Sequence, residues 1–171
     1  MPAFTTTRDD HRIAWLTALA VTIHIAESAL PSPLPGIKPG LANVVTIAVL
    51  VRYGWRMAAW VTLLRVLVSS LLLGSFLSPT FALSLAGALC STFVLAAACA
   101  LSQRLPGAGL SAMGYSMLAA LAHMAGQFAV AYALFIPHPA LLHLLPLLMT
   151  AALIFGAVSG MVAQAMLNRV I

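Results

Sequence analysis

Charge is what this sequence lacks. Of its 171 residues only three are acidic, Asp9, Asp10 and Glu27, and charged residues of both signs make up 6%. A water-soluble domain carries about 25% charged residues. A chain that is 63% hydrophobic, with a mean hydropathy of +1.07, has no surface to present to water and belongs in a lipid bilayer. The shortage of acids also removes a class of chemistry. A magnesium-dependent prenyl transferase needs clustered aspartates to hold metal ions on a diphosphate, and Asp9-Asp10 is the only adjacent acidic pair here. There is no Gly-rich phosphate loop either. We therefore expect no enzyme activity, no resident cofactor and no metal.

Cysteine is scarce too. Cys90 and Cys99 fall in one apolar run, nine positions apart. On a helix that spacing points them in opposite directions, about 13 Å apart along the axis. They can neither bridge nor share a metal, and read as small apolar residues. The net charge of +5 raises nucleic acid as a partner. The basic residues are scattered singly between apolar runs, without aromatic interleaving, and that pattern excludes it. No signal peptide is expected, because the first apolar run is long, carries Glu27 and lacks a small-residue cleavage site.

What is present is a polar, turn-rich island, Leu34-Pro35-Gly36-Ile37-Lys38-Pro39-Gly40-Leu41-Ala42-Asn43. Its two Pro-Gly steps are strong turn signals. Apolar runs flank it, so it is read as a loop at a membrane surface.

Taken in order, residues 1–12 are a polar tail, or a helix start capped by Asp9 or Asp10. Spans are expected over 13–30, 41–51, 57–73, 81–101, 112–135 and 144–166. The second is short, about 20 Å of helix. Arg52 to Arg56 reads as an interfacial turn with an aromatic belt. Six spans put both ends on one side. With that side cytoplasmic, Arg8, Arg12, Arg52, Arg56, Arg104 and Arg169 lie inside and only Lys38 outside, as the positive-inside rule requires. The expected fold is an all-α membrane protein, a compact bundle of six transmembrane helices forming one domain over residues 1–171, without linker or internal repeat. The Pro-Gly loop shares the outer side with loops 74–80 and 136–143, and the three would rim one bowl.

Ionisable groups inside a bilayer cost several kcal/mol and face a cavity or a partner. Glu27 near the outer end of its helix and Arg65 near mid-depth have two readings, a structural ion pair or part of a ligand cavity. His24 and Glu27, three apart, share a face. His123 and Gln127, four apart, share another. Each is either a ligand group or a bond to a neighbouring helix. Asn43 either caps its helix or binds a ligand. Lys38, near an outward helix N-terminus, either favours an anion or is a solvated lysine. His138 and His143 have no acidic or cysteine neighbours and are weak metal candidates. Ala14, Ala18, Thr22 and Ala26 recur every fourth residue and make a face of small side chains that another helix can approach closely.

The run Pro35-Gly36-Ile37-Lys38-Pro39-Gly40-Leu41-Ala42-Asn43 resembles the prokaryotic Gx transporter family, whose members are often labelled heptaprenyl diphosphate synthase component I. The resemblance continues through Arg65, Gly74-Ser75-Phe76 and Ser84-Leu85-Ala86-Gly87-Ala88. That family looks related to the substrate-binding S components of energy-coupling factor (ECF) transporters. The resemblance implies a multi-pass protein of the inner membrane that binds a small vitamin-like or cofactor-precursor solute from outside. The Pro-Gly loop would be its lid. Glu27, Asn43, Arg65, Ser84, His123 and Gln127 would line the bowl, with Lys38 in the lid. Ala14, Ala18, Thr22 and Ala26 would dock onto an energising module of a transmembrane subunit and ATPases. Thr22 departs from the usual alanine pattern of that seam. Two rival readings stand beside this one. One is a membrane subunit associated with isoprenoid or quinone synthesis. The other is an assembly subunit of a membrane redox complex.

Overall fold

The fold is taken from a computed structural model, which describes residues 7–29, 40–105 and 109–170. The described residues are helical, with no strand among them. The order is α1 (Arg8–Ala29), α2 (Leu41–Tyr53), α3 (Trp55–Leu72), α4 (Pro79–Arg104), α5 (Ala112–Val130), a π-helical turn (Ala131–Phe135), a four-residue helix α6 (Pro139–Leu142) and α7 (Leu145–Val170).

Helix α1 begins earlier than the polar tail suggested, and neither Asp9 nor Asp10 is its cap. Thr7 fills that position. Its Oγ1 accepts the Asp10 amide at 3.2 Å, and the Asp10 carboxylate accepts the Thr7 amide at 2.8 Å. This reciprocal arrangement satisfies two backbone donors, which is why the helix extends back to Arg8. The Thr7 bonds, the backbone one foremost, hold the Asp10 carboxyl below its ordinary value.

Helix α2 explains its own composition. It packs against α1, α3, α5 and α7. Val44, Val45, Thr46, Ile47, Val49 and Leu50 are all buried. A helix apolar all round is one with neighbours all round. The Thr46 and Thr62 hydroxyls, 3.3 Å apart, tie α2 to α3. The turn between these helices narrows to Gly54, at φ 90°, a backbone conformation that side chains with a Cβ rarely adopt.

Around α2 the packing runs α1 to α3, α3 to α4, α4 to α5 and α5 to α7. Small residues set the distances. A Cβ on Gly126 of α5 would lie 2.7 Å from Cys90 Sγ and 2.8 Å from the Ala86 carbonyl on α4. On α7, a Cβ on Gly156 would lie 3.0 Å from Met117 Cα, and one on Gly160 2.6 Å from Met113 Cα. Gly156 and Gly160 are four apart, the small-residue spacing that lets membrane helices touch backbone to backbone.

Four stretches are long and apolar enough to cross a membrane: Trp55–Leu72, Pro79–Arg104, Ala112–Phe135 and Pro139–Arg169. Their outer faces carry exposed Leu71, Leu72, Phe93, Ile154 and Met161, a surface suited to lipid. The protein is therefore read as a multi-pass membrane protein. Helix α2, 13 residues long, gives about 20 Å of rise, short of a hydrocarbon core of about 30 Å. The stripe Ala14, Ala18, Thr22 and Ala26 is exposed along its whole length, beside exposed Trp15 and Leu19. It does not pack against the other described residues; the opposite side of α1 does, through Thr17, Ala20, Val21 and Glu27.

Candidate functional site

A cavity of about 470 Å³ lies among α1, α2, α3, α4, α5 and α7. Its wall is built from the last turns of α1, the first turn of α2, the second half of α3, the first turns of α4, the second half of α5 and α7 from Ala151 to Ser159. Each helix thus contributes the same end to one site. Ser75, in the α3–α4 turn, stands in the wall as well. Phe76 of that turn packs against Phe81 of the wall, with ring centroids 5.0 Å apart and planes tilted by 52°. The start of α2 is tied across the site, because Ser159 of α7 donates to the Gly40 carbonyl at 3.4 Å.

The structure brings Glu27, Asn43, Arg65, Ser84, His123 and Gln127 together in this wall. His24 joins them. Lys38 and the Pro-Gly lid up to residue 39 lie outside the described residues. Glu27 and Arg65 are buried, 4% and 7% exposed, in an otherwise apolar protein. They interact electrostatically. The Arg65 Nε has no hydrogen-bond partner, nor does Nδ1 of His123. The His123 ring lies over Gly87, where a Cβ would be 2.7 Å from Nε2. Glycine at that position is what lets the imidazole approach α4 so closely.

Sequence reasoning missed part of the wall. Ser69 and Ser70 follow Arg65 by four and five positions on α3, and Ser159, Phe81 and Phe155 also line the cavity. The signal for Ser69 was present, since positions four apart share a helix face. Ser69 and Ser70 donate their hydroxyl protons to the Arg65 and Leu67 carbonyls of their own helix. They therefore turn acceptor lone pairs, not donors, toward the cavity.

The remaining candidates are apart from this site. Cys90 and Cys99 are free thiols. His138 is spent locally, its Nδ1 accepting the Ala140 amide at 3.1 Å at the start of α6. Among the described residues no three His, Cys, Asp or Glu side chains come together as a metal site.

The family model described as heptaprenyl diphosphate synthase component I matches residues 16–166. The chain belongs to that family. As a component I member, this protein has its cavity, α2 and the apolar stretches Trp55–Leu72, Pro79–Arg104 and Ala112–Phe135 inside the matched region, with most of Pro139–Arg169. No curated protein and no solved structure matches the chain.

Proposed function

We propose that this component I member is a membrane protein that binds a small polar solute in the cavity between its helices and serves its uptake, without being an enzyme itself. The observation that carries the reading is one cavity, of a volume typical of small-molecule sites, walled by Glu27, Arg65, His24, His123, Asn43 and Gln127. Polar and charged groups inside an apolar helical protein are expensive, and here they converge on one place. The proposed topology is six spans, α1 and the short α2 included, with both termini on the cytoplasmic side of a prokaryotic inner membrane. Arginines at positions 52, 56, 104 and 169 on that side support it.

The chain has no nucleotide-binding motif of its own, so active uptake requires a partner. An energising module of the ECF type, a transmembrane subunit with ATPases, fits the exposed small-residue stripe of α1. In that reading the protein is similar to an S component, and its solute is vitamin-like or a cofactor precursor.

A second reading follows from the family's description: a membrane subunit that accompanies a prenyl synthase. The family match over residues 16–166 favours it directly. The cavity favours the first. At roughly 30 Å³ per water-sized group, its volume of about 470 Å³ is too small for a whole heptaprenyl chain. The described residues also lack an acidic cluster that could hold metal ions on a diphosphate.

Native mass spectrometry of the protein in mild detergent separates the two. A stoichiometric polar metabolite, retained by the wild type and lost in Glu27→Ala or Arg65→Ala variants that still fold, is the expected result. A co-purifying prenyl synthase, with no metabolite retained, would replace the first reading by the second.

A further inference from the structure

We propose that the exposed face of α3 is a site for an anionic phospholipid, with the head-group phosphate held by Arg52 and Arg56 and an acyl chain lying along Trp60, Leu67 and Leu71. The head group sits at the end of the helices remote from the cavity, and the site is independent of the solute-binding reading.

The chain has three acidic side chains to set against its basic ones, Asp9, Asp10 and Glu27. Asp9 pairs with Arg12 at 3.1 Å. Asp10 accepts the Thr7 amide and hydroxyl, each at 2.8 Å. Glu27 stands far from both, in the cavity wall at the other end of α1. Arg12 also lies over the Tyr53 ring, 5.5 Å from its centroid, so the start of α1 leans on the end of α2 with its charge already matched. Arg52 in the last turn of α2 and Arg56 in the first turn of α3 flank the Gly54 turn, and both are exposed. Arg56 lies over the Trp55 ring at 6.0 Å, and among the described residues neither arginine has a carboxylate partner. Two unmatched positive charges thus stand at the mouth of Trp55–Leu72, a stretch long and apolar enough to cross a membrane. Lipid phosphates lie at that depth.

Below the charges the helix offers a path for a chain. Positions 56, 60, 67 and 71 are four or seven apart and share one face of α3. All four are exposed, Trp60 by 58% and Leu71 by 61%. Half-buried Leu63 and Leu64 fill the interval between Trp60 and Leu67. The other side of the helix is buried, through Ala58, Val61, Arg65 and Ser69. The exposed face therefore runs from a cation past an indole to leucines, over about 22 Å of rise. An indole with one wet end suits the head-group boundary. A phospholipid presents phosphate and acyl chain in the same order. A partner helix would match the apolar stripe but would have to bring its own acid to Arg52 and Arg56, whereas the bilayer already holds one at that depth. An anionic lipid is preferred to a zwitterionic one, because a choline group would bring a cation to the same two arginines. Depth decides this and not sidedness, so it holds for either leaflet.

The test is native mass spectrometry of the full chain, stripped of lipid in mild detergent and titrated with dioleoyl phosphatidylglycerol or dioleoyl phosphatidylcholine, with inorganic phosphate as competitor. Phosphatidylglycerol is expected to bind about twenty- to thirtyfold tighter than phosphatidylcholine, about fivefold for each arginine. Arg52→Gln and Arg56→Gln each lower that ratio about fivefold. Arg52→Lys and Arg56→Lys, which keep the charges, retain most of it. Trp60→Ala weakens both lipids alike and leaves the ratio unchanged. Arg169→Gln, which removes a basic residue at the end of α7, changes neither. The inference is overturned by equal binding of the two lipids, by a ratio that survives both glutamine variants, or by one that falls as far in Arg169→Gln. Lipid affinities untouched by Trp60→Ala overturn it as well. So does displacement of phosphatidylglycerol by millimolar inorganic phosphate, since a free anion would then suffice.

Discussion

Replacing Gly160 with alanine probes what holds the helices around the cavity. A Cβ at that position meets Met113 Cα at 2.6 Å, Ser116 Cβ at 3.0 Å and Met113 Cβ at 3.3 Å. Carbon atoms settle at about 3.5–4.0 Å, and the nearest obstacle is the backbone of α5, which no rotamer change can move aside. Helix α7 must therefore withdraw from α5 by about 1 Å. Overpacking costs about 1–3 kcal/mol, and a backbone obstacle puts this case in the upper half. Alanine's better helix propensity returns about 1 kcal/mol. The net loss is about 1–2 kcal/mol. For a chain of this length that lowers Tm by about 2–8 °C. The assay is thermal unfolding in one detergent, followed by circular dichroism, with Gly109→Ala alongside. A Cβ on Gly109 has nothing within 4 Å, and that variant is expected within about 2 °C of wild type. Equal melting temperatures for the two variants would mean that α5 and α7 do not approach as closely as this reasoning requires.

Gly87→Ala makes an informative contrast, because its Cβ meets the His123 ring, Nε2 at 2.7 Å, rather than backbone. The ring can turn away, so Tm should fall less than in Gly160→Ala while metabolite retention in native mass spectrometry drops, since the cavity wall has moved. At the other end of α1, the Asp10 carboxylate has its pKa lowered by its bonds from Thr7. A lowered folded-state pKa means that the cap is in force above the ordinary value of 3.8 and is lost as pH falls through the lowered one. Amide hydrogen exchange in the first turn of α1 should therefore quicken, relative to its intrinsic rate, only in that acid range. Asp10→Asn should blunt the effect. Thr7→Ala, which removes the cap oxygen, should weaken this turn by about 1 kcal/mol at neutral pH.

The helices were legible because hydropathy alone separates them. Each of the six expected spans falls on a helix in the structure, though their ends moved. Helix α3 starts at Trp55 because the chain needs only Gly54 to turn, so Arg52, Tyr53, Trp55 and Arg56, expected in an interfacial turn, are helical instead. The expected loop at 136–143 contains the short helix α6, started by His138 and Pro139. Such boundaries depend on single backbone bonds that composition does not record. The matching of α1 and α2 to membrane spans is likewise a matter of charge and length that the fold alone leaves at four clear candidates.

The wall of the cavity divides along the same line. Residues that are costly in a bilayer announce themselves one at a time, and Glu27, Arg65, His123 and Gln127 could be picked out of an apolar background by price alone. Serines and phenylalanines carry no such signal. Ser159 matters because α7 crosses α5 at Gly156 and Gly160, and that crossing turns the Ser159 hydroxyl toward the Gly40 carbonyl. The small-residue spacing was in the sequence, but its consequence is geometric: it sets how near α7 stands to the start of α2. Gly156 also lines the cavity, so the α5–α7 crossing helps to set its width. Any substitution that opens the α5–α7 crossing should loosen the ligand as well as the fold.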